Sequence, residues 1–253
     1  MCTLTWYFDP HGYNVFFNRD EQKKRAKALP PRILEENIKF VMPIDPQGGG
    51  SWISTNQYGV TVALLNFYQG NLPSGPLYSR GQIIKQLAPS LSLEEATRTV
   101  KSIDLTHYAP FSVAVFCPGL HENKSRVGVI RWDGQRLQDY TSPGPLISSG
   151  VSFESVSKAR LKAYRDLINT RTNDKTQAHI DYHSSHIPNQ SAESVCMHRE
   201  DAQTVSLSHV SVTSTESKFC YIDGSPCEHE FDYTVRIKRL APSKQSAKTL
   251  RRN

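Results

Sequence analysis

A cysteine follows the initiator methionine directly, and in this position a single residue can supply two reactive groups. Initiator Met is normally removed when the next residue is as small as Cys, so Cys2 is expected to carry a free α-amine beside its thiol. The ordinary pKa of an α-amine is about 7.7–8.0 and that of a cysteine thiol about 8.5. The amine can therefore take the thiol proton near neutral pH, which predicts a nucleophile activated by its own backbone nitrogen.

Two short apolar-rich runs joined by a turn are expected to position this thiol. Polar and apolar residues alternate over residues 3–8, and residues 13–17 form the returning strand after turn formers at 9–12. The hairpin brings Arg19 and Asp20 beside Cys2. Arg19 can favour the thiolate by its charge, and Asp20 can bind the α-amine or orient a substrate. The alternative is a small buried cysteine beside a solvated turn.

Two further segments carry candidate site residues. A glycine-rich loop at 45–50 precedes Trp52, a candidate substrate contact, and an apolar run at 60–65 ends at Asn66. The amide of Asn66 can donate to an oxyanion, or it can cap the loop that follows. No helix or P-loop lysine follows the glycines, so they are interpreted as letting the backbone approach the pocket closely.

Candidate substrate contacts also come from later in the chain. Ser149 lies in a Ser/Pro/Gly-rich loop at 142–150 that is expected to line the pocket. Arg199 can bind a substrate carboxylate in bidentate fashion. The nearby Cys196 and His198 form an alternative Cys/His pair, which lacks an evident orienting carboxylate.

A polar segment in the last third of the chain contains several residues of metal-ligand type. They are His179, Asp181, His183, His186, Cys196 and His198. Zinc would need them to converge in tetrahedral geometry, and their spacing matches no closed zinc signature. The composition of 173–194 is that of a loop, so we expect a solvated excursion and neither a metal nor another cofactor.

Helix and strand patterns follow along the rest of the chain. Helices are predicted at 79–87, at 92–103 after a capping box, and at 157–170. Strands are predicted at 111–117, 127–132, 136–140, 204–212, 218–222 and 231–237. This order suits an α+β domain of two stacked sheets with helices outside them.

The motifs together resemble those of the NRDE family, also called the transport-and-Golgi-organisation family. They are Met-Cys at 1–2, Asn-Arg-Asp-Glu at 18–21, Gly-Gly-Gly-Ser-Trp at 48–52 and Ala-Leu-Leu-Asn at 63–66. The family is similar to Ntn hydrolases such as penicillin V and bile-salt acylases. The resemblance implies a four-layer αββα sandwich of two mainly antiparallel sheets. It also implies that Cys2 is the nucleophile, Arg19 and Asp20 the charged pair beside it, and Asn66 the oxyanion donor.

The function implied by this resemblance is hydrolysis of an amide C–N bond in a small acylated substrate. One element of the acylases is missing, because Ile-Ser-Ser-Gly stands at 147–150 where their second oxyanion asparagine is expected. The loss of one such donor can cost about 2.7–4 kcal/mol of barrier. The alternative is a binding or trafficking module on the same fold that handles haem or lipid, as the resemblance to eukaryotic relatives implies.

Charge and composition narrow the classes of function. The 253 residues are 38% hydrophobic and carry a net charge of +6. Residues 233–253 contain seven Lys or Arg and no acidic residue, so the rest of the chain is nearly neutral and specific nucleic-acid binding is not expected. We predict one domain over 1–240 and a basic, disordered tail at 241–253.

The cellular compartment is predicted from the absence of a membrane span and of a signal peptide, and from the cysteines. No apolar run reaches the ~18 residues of a membrane span, and the N-terminus lacks a signal-peptide layout. Five cysteines without regular spacing favour a reduced, cytoplasmic setting. The expected partner is a small-molecule substrate, and the oligomeric state is left open.

Overall fold

Thirteen strands and four α-helices make up the regular structure of the computed structural model, which describes residues 1–120, 126–168 and 174–240. The strands are β1 Cys2–Asp9, β2 Gly12–Gln22, β3 Leu29–Glu35, β4 Lys39–Ile44, β5 Ile53–Asn56, β6 Thr61–Asn66, β7 Phe111–Phe116, β8 Val127–Trp132, β9 Leu137–Ser142, β10 Leu146–Ser148, β11 Ala202–Val212, β12 Glu216–Ile222 and β13 Tyr233–Lys238. The helices are α1 Gly81–Leu87, α2 Leu93–Ser102, α3 Phe153–Ile168 and α4 Lys175–His183, with a 3-10 turn at Leu105–His107.

The strands form two sheets in which all neighbouring strands are antiparallel. The first has the order β10-β1-β2-β11-β12-β13, and the second runs β3 to β9 in sequence order. Helices α3 and α4 contact the first sheet, whereas α1 and α2 contact the second. The prediction of a four-layer αββα sandwich is confirmed by this arrangement.

Alternation along β1 explains why this strand is buried on both faces. Leu4, Trp6 and Phe8 join the core between the two sheets. Thr3 and Thr5 point the other way, toward α3 and α4, where their hydroxyls contact Arg160 and two histidines of α4. A strand with one apolar and one polar face is therefore enclosed because helices supply polar partners on its outer side.

The start of helix α2 lies where the local sequence predicted it. Helix α2 begins after Ser92, whose side chain accepts a hydrogen bond from the Glu95 backbone N–H at 3.2 Å. The Glu95 carboxylate in turn accepts from the Leu91 backbone N–H at 2.8 Å. The Ser92 contact is that of a capping box, whereas Glu95 reaches one residue further back than the N-cap and satisfies the N–H of Leu91 instead.

Other segments differ from what the sequence predicted. The prediction of a solvated loop at 173–194 is wrong for residues 175–183, which form α4. Part of the loop predicted at 142–150 is strand β10. The tail predicted at 241–253 lies outside the described residues. None of the helices in the described ranges is both long and apolar enough to span a membrane.

Candidate active site

A cavity of about 370 Å³ opens at one end of the layer between the sheets. The first sheet contributes Cys2 and Arg19 to its wall, and the second contributes Trp52 and Asn66. Arg80, at the start of α1, lines it as well. Asp20 borders it too, so five of the site residues singled out from the sequence line one space.

The predicted hairpin is confirmed, and its register makes Cys2 and Arg19 direct cross-strand partners. On its other side Cys2 pairs with Ser148 of β10. Burial raises the pKa of the Cys2 thiol above its ordinary value. The N-terminal ammonium, a hydrogen bond from the Asp20 backbone and the charge of Arg19 all act in the opposite direction and favour the thiolate.

Arg19 is held in the cavity wall by an aromatic ring and two carboxylates. Its guanidinium carbon lies 4.4 Å from the centroid of the Trp52 ring. One terminal nitrogen lies 3.4 Å from Glu21 and 3.7 Å from Asp45. A stacked and paired guanidinium has few alternative orientations, so its charge stays close to the thiol.

Asp20 points to the opposite face of the sheet, because neighbouring strand residues alternate. Its carboxylate accepts hydrogen bonds from Arg160 of α3 at 3.2 Å and from the Thr204 hydroxyl at 2.7 Å. Its backbone, in contrast, contacts the first residue of the chain. The Asp20 N–H donates to the Met1 carbonyl at 3.0 Å, and the Asp20 carbonyl accepts from the Met1 amine at 3.4 Å.

Asn66 lies at the end of β6, on the wall opposite Cys2, and its amide donates a hydrogen bond to the hydroxyl of Tyr68 at 2.9 Å. Tyr68 borders a second cavity of about 240 Å³, which Met1 also lines. The side chains of Asn66 and Tyr68 thus form a polar connection between the two cavities. The indole nitrogen of Trp52 is buried and has no hydrogen-bond partner within the described part of the chain.

The cations of the cavity differ in their partners. Arg25 lies 2.5 Å from the Asp45 carboxylate. Burial raises the pKa of the Asp45 carboxyl, but Arg25 and Arg19 lower it by more, so the pKa lies below its ordinary value. Arg80 donates to the Pro110 carbonyl at 3.2 Å and forms no ion pair with any carboxylate in the described ranges. Burial lowers the pKa of its guanidinium. Arg80 is therefore a cation that faces the cavity without a neutralising carboxylate.

Two predicted substrate contacts lie outside this cavity. Ser149 is fully buried, and its hydroxyl donates to the Val151 carbonyl at 2.5 Å. Arg199 lines the second cavity, where it pairs with Asp201 at 2.8 Å and approaches the Met1 sulfur at 3.8 Å. The side chain of Met1 therefore packs against Arg199 in the second cavity.

The residues of metal-ligand type divide into two groups. His179 and His183 both lie 2.8 Å from the Thr5 hydroxyl, His179 through Nδ1 and His183 through Nε2. One hydroxyl can donate to one neutral ring and accept from the other. The remaining ring nitrogens, His179 Nε2 and His183 Nδ1, are buried without a hydrogen-bond partner among the described residues. Burial lowers the pKa of both, that of His179 to about 3. His186, Cys196 and His198 converge elsewhere.

The model of the Transport and Golgi organisation 2 (TANGO2) family matches residues 1–225. The chain belongs to this family. A search among curated proteins finds no match.

Solved structures similar to this TANGO2-family chain are Ntn-type hydrolases. A mutant of conjugated bile acid hydrolase from Clostridium perfringens superposes with a TM-score of 0.52 at 13% identity, over 94% of this chain and 92% of its own. An N-acylethanolamine-hydrolyzing acid amidase ortholog from Caenorhabditis elegans gives 0.54 at 11% identity, over 83% and 92%. At this level of identity the similarity shows the fold alone.

Sequence reasoning missed three residues around the site of this TANGO2-family protein. Arg160 shares the buried stripe of α3 with Val156 and Ala163, so its helical spacing was the available signal. Tyr68 and Arg80 lie in irregular segments after β6 and before α1, where no periodicity marks them. Only the folded chain brings them to the cavity.

Proposed function

We propose that this TANGO2-family protein hydrolyses the amide C–N bond of a small acylated substrate, with Cys2 as the nucleophile. The observation that carries the proposal is the shared cavity, in which the thiol end of β1 faces Arg19, Trp52 and Asn66. The names of two structural neighbours, a conjugated bile acid hydrolase and an acid amidase, support the same class of reaction.

Removal of Met1 is the activating step in this proposal. While Met1 is present, the Cys2 nitrogen is an amide, which cannot accept a proton from the thiol. Removal turns this nitrogen into an amine whose ordinary pKa is about 7.7–8.0. It also takes away the Met1 carbonyl, so the N–H of Asp20 loses its acceptor and becomes available beside the thiol.

The reaction then follows from the groups at hand. The amine accepts the thiol proton, the sulfur forms a bond to the substrate carbonyl carbon, and the carbonyl oxygen becomes an oxyanion. The oxyanion collapses, the C–N bond breaks, and the leaving amine takes the proton from the Cys2 ammonium. Water, deprotonated by the same amine, then hydrolyses the thioester and releases the acid.

Two donors are candidates for stabilising the oxyanion. The Asn66 amide needs only to exchange the Tyr68 hydroxyl for the substrate oxygen. The N–H of Asp20, once free of Met1, is a second donor from the chain itself. A backbone N–H in this place would compensate for the missing second asparagine of the acylases, whose loss alone would cost about 2.7–4 kcal/mol.

The charges around the site favour a substrate that carries an anionic group. Arg80 faces the cavity without an ion-pair partner in the described ranges, and the Trp52 ring, which also lines the cavity, can contact the acyl group. Arg199 is a second candidate cation, because removal of Met1 would take away the side chain that contacts it in the second cavity. Arg199 thus keeps its predicted role as a carboxylate-binding residue.

The test uses a fusion whose protease cleavage leaves Cys2 as the first residue, compared with the uncleaved chain. An activated amide or β-lactone probe should acylate Cys2 in the cleaved chain, as measured by intact mass and peptide mapping. The Cys2→Ala chain should show no such adduct, and Cys117→Ala should behave like the parent. The acyl adduct should then disappear with time as water hydrolyses it.

Absence of the adduct in the cleaved chain would overturn the proposal and favour a binding module on the same fold. Haem titration followed by the Soret band, and co-sedimentation with vesicles, would then test the haem- and lipid-handling alternatives. An adduct that forms but never hydrolyses would mean that the nucleophile survives without turnover.

A further inference from the structure

Four side chains of metal-ligand type converge on the helix-covered side of the first sheet, away from the Cys2 cavity. They are His186, Cys196, His198 and Cys227, and their ligand atoms all lie within 4.8 Å of one another. His186 follows α4, Cys196 and His198 precede β11, and Cys227 lies between β12 and β13. Three separate segments of the chain therefore meet at this point, which we call the Cys/His cluster.

The distances in the Cys/His cluster match those between the corners of a zinc tetrahedron. The two sulfurs are 3.4 Å apart, and His198 Nε2 lies 3.6 Å from Cys196 Sγ and 3.3 Å from Cys227 Sγ. Bond lengths of about 2.3 Å to sulfur and about 2.0–2.1 Å to nitrogen place tetrahedral ligands about 3.8 Å apart for S···S and about 3.6 Å for S···N. Only shifts of a few tenths of an ångström separate these three atoms from coordination.

His186 completes the set with an unpartnered nitrogen. Its Nε2 is buried and has no hydrogen-bond partner among the described residues. Its Nδ1 lies 3.5 Å from the side-chain amide of Gln190. If that amide rotates by half a turn, its oxygen can accept the Nδ1–H of a neutral imidazole, which is the usual way in which a metal-bound histidine is oriented.

We propose that the Cys/His cluster binds one Zn²⁺ through two thiolates and two neutral imidazoles. Zn²⁺ replaces the two thiol protons, which are released to solvent, so the loaded site has no net charge. Four protein ligands leave no open position, which indicates a structural rather than a catalytic site. A tetrahedral set of two sulfurs and two nitrogens favours zinc over the harder cations that prefer oxygen ligands.

The metal would fasten the segment between α4 and β11 to the connection between β12 and β13. That segment supplies backbone carbonyls to two buried side chains of the site region. The carbonyl of Ala192 accepts from Arg160 at 3.0 Å, and that of Val195 accepts from Asn18 at 3.1 Å. Zinc would therefore hold in place the loop on which the environment of Asp20 depends, without contacting the Cys2 cavity.

A redox pair is the competing use of the two cysteines. Their sulfurs are 3.4 Å apart, well beyond the bond length of about 2.05 Å, and neither is in a disulfide. A disulfide would involve Cys196 and Cys227 alone and would give no reason for two imidazoles to face the same point. The position of His186 Nε2 and His198 Nε2 therefore favours a metal.

The experiment is metal analysis of the full-length chain, purified under reducing conditions without chelators. We expect one equivalent of zinc per chain, at least a tenfold loss of bound zinc in Cys227→Ser and His198→Ala, and full retention in the matched control Cys117→Ser. Zinc content comparable to wild type in Cys227→Ser would overturn the assignment. Hydrolase activity is not the readout, so failure of the amidase proposal leaves this test intact.

A second measurement needs no variant and so remains decisive if the variants fold poorly. The wild-type chain, stripped with a chelator and titrated with Co²⁺, should develop tetrahedral d–d bands and a thiolate-to-cobalt charge-transfer band that saturate at one equivalent. Added Zn²⁺ should bleach both. Absence of these bands in a folded, reduced chain would overturn the proposal, as would a Cys196–Cys227 disulfide in peptide maps of a chain that contains no metal.

Discussion

Arg160 and Asp20 form an ion pair in which both side chains are completely buried, with 3.2 Å between Nη1 and Oδ2. The same Nη1 donates to the Thr3 hydroxyl at 2.7 Å, and Thr204 donates to the other oxygen of Asp20 at 2.7 Å. Helix α3 is thereby connected to β1, β2 and β11 directly behind the Cys2 cavity. This pair, rather than a free carboxylate beside the thiol, is how Asp20 contributes to the site.

Removal of the arginine charge should destabilise the fold strongly. Arg160→Met leaves the Asp20 carboxylate buried without a counter-charge, so we expect a loss of about 3–5 kcal/mol in the free energy of unfolding. The double variant Arg160→Met/Asp20→Asn should recover part of the lost free energy of unfolding, because no charge is then left unpaired. Chemical denaturation of the two variants and the parent measures both effects.

A matched surface pair provides the control for this prediction. Arg236 and Glu216 also form an ion pair, but both are substantially exposed. Arg236→Met should therefore cost at most about 1 kcal/mol. A similarly small effect of Arg160→Met would show that the buried pair does not stabilise the fold in the way proposed.

The pH dependence of Cys2 alkylation should reveal whether Met1 has been removed. In the uncleaved fusion burial raises the pKa of the thiol, so the rate with iodoacetamide should still be rising above about pH 9. In the cleaved chain the new α-amine can take the proton, so the rate should level off at a lower pH than in the uncleaved fusion. At pH ~7.5 the cleaved chain should react at least about tenfold faster.

Peptide mapping confines this comparison to Cys2, because the other cysteines also react. The Cys2→Ala chain gives the background at each pH. Identical pH profiles for the cleaved and uncleaved chains would mean that the terminal amine does not activate the thiol.

Arg80 should select for anionic reagents at Cys2. Iodoacetate and iodoacetamide alkylate by the same chemistry but differ in charge. A partly screened positive charge is worth about 1 kcal/mol, so Arg80→Gln should slow iodoacetate relative to iodoacetamide roughly fivefold. Arg98→Gln, on the exposed side of α2, should leave the ratio unchanged, and an unchanged ratio in Arg80→Gln would remove the argument for an anionic substrate.

The hairpin could be predicted because it depends on local information. Alternation over residues 3–8 and the turn that follows bring the end of the second strand back to Cys2, and the structure shows that Arg19 is the residue directly opposite. The partner of Asp20 could not be found in this way. Arg160 is 140 residues away, and only the packing of α3 on the first sheet brings it there.

Helix α4 shows why the segment at 173–194 was misjudged. Its buried positions are Ala178, His179, Tyr182 and His183, which give almost no hydrophobic signal at helical spacing. Their burial depends on Thr5 and on aromatic neighbours from the first sheet. The Cys/His cluster was missed for a related reason, because its fourth member, Cys227, lies in the connection between β12 and β13, far along the chain from the other three.

Buried neutral histidines should make the fold sensitive to mild acid. Phe16 stacks on His179 and on His209 with ring centroids 4.8 and 4.2 Å apart, and burial lowers the pKa of each histidine to about 3. In the unfolded chain each histidine takes up a proton at about pH 6.5, whereas in the folded chain it stays neutral at that pH. Between those values the unfolded state binds more protons, so stability should fall as pH decreases, by about 1.4 kcal/mol per pH unit for each histidine.

Urea denaturation at a series of pH values from about 5 to 7.5 measures this slope around the ordinary histidine pKa. The double variant His179→Asn/His209→Asn should be less stable than the parent at neutral pH. Its free energy of unfolding should fall less steeply with decreasing pH, because two groups that take up protons on unfolding are gone. His11→Gln, at an exposed turn, should keep the slope of the parent. A slope that is unchanged in the double variant would mean that other groups set the acid sensitivity, of which His183, whose pKa burial also lowers well below its ordinary value, is the first candidate.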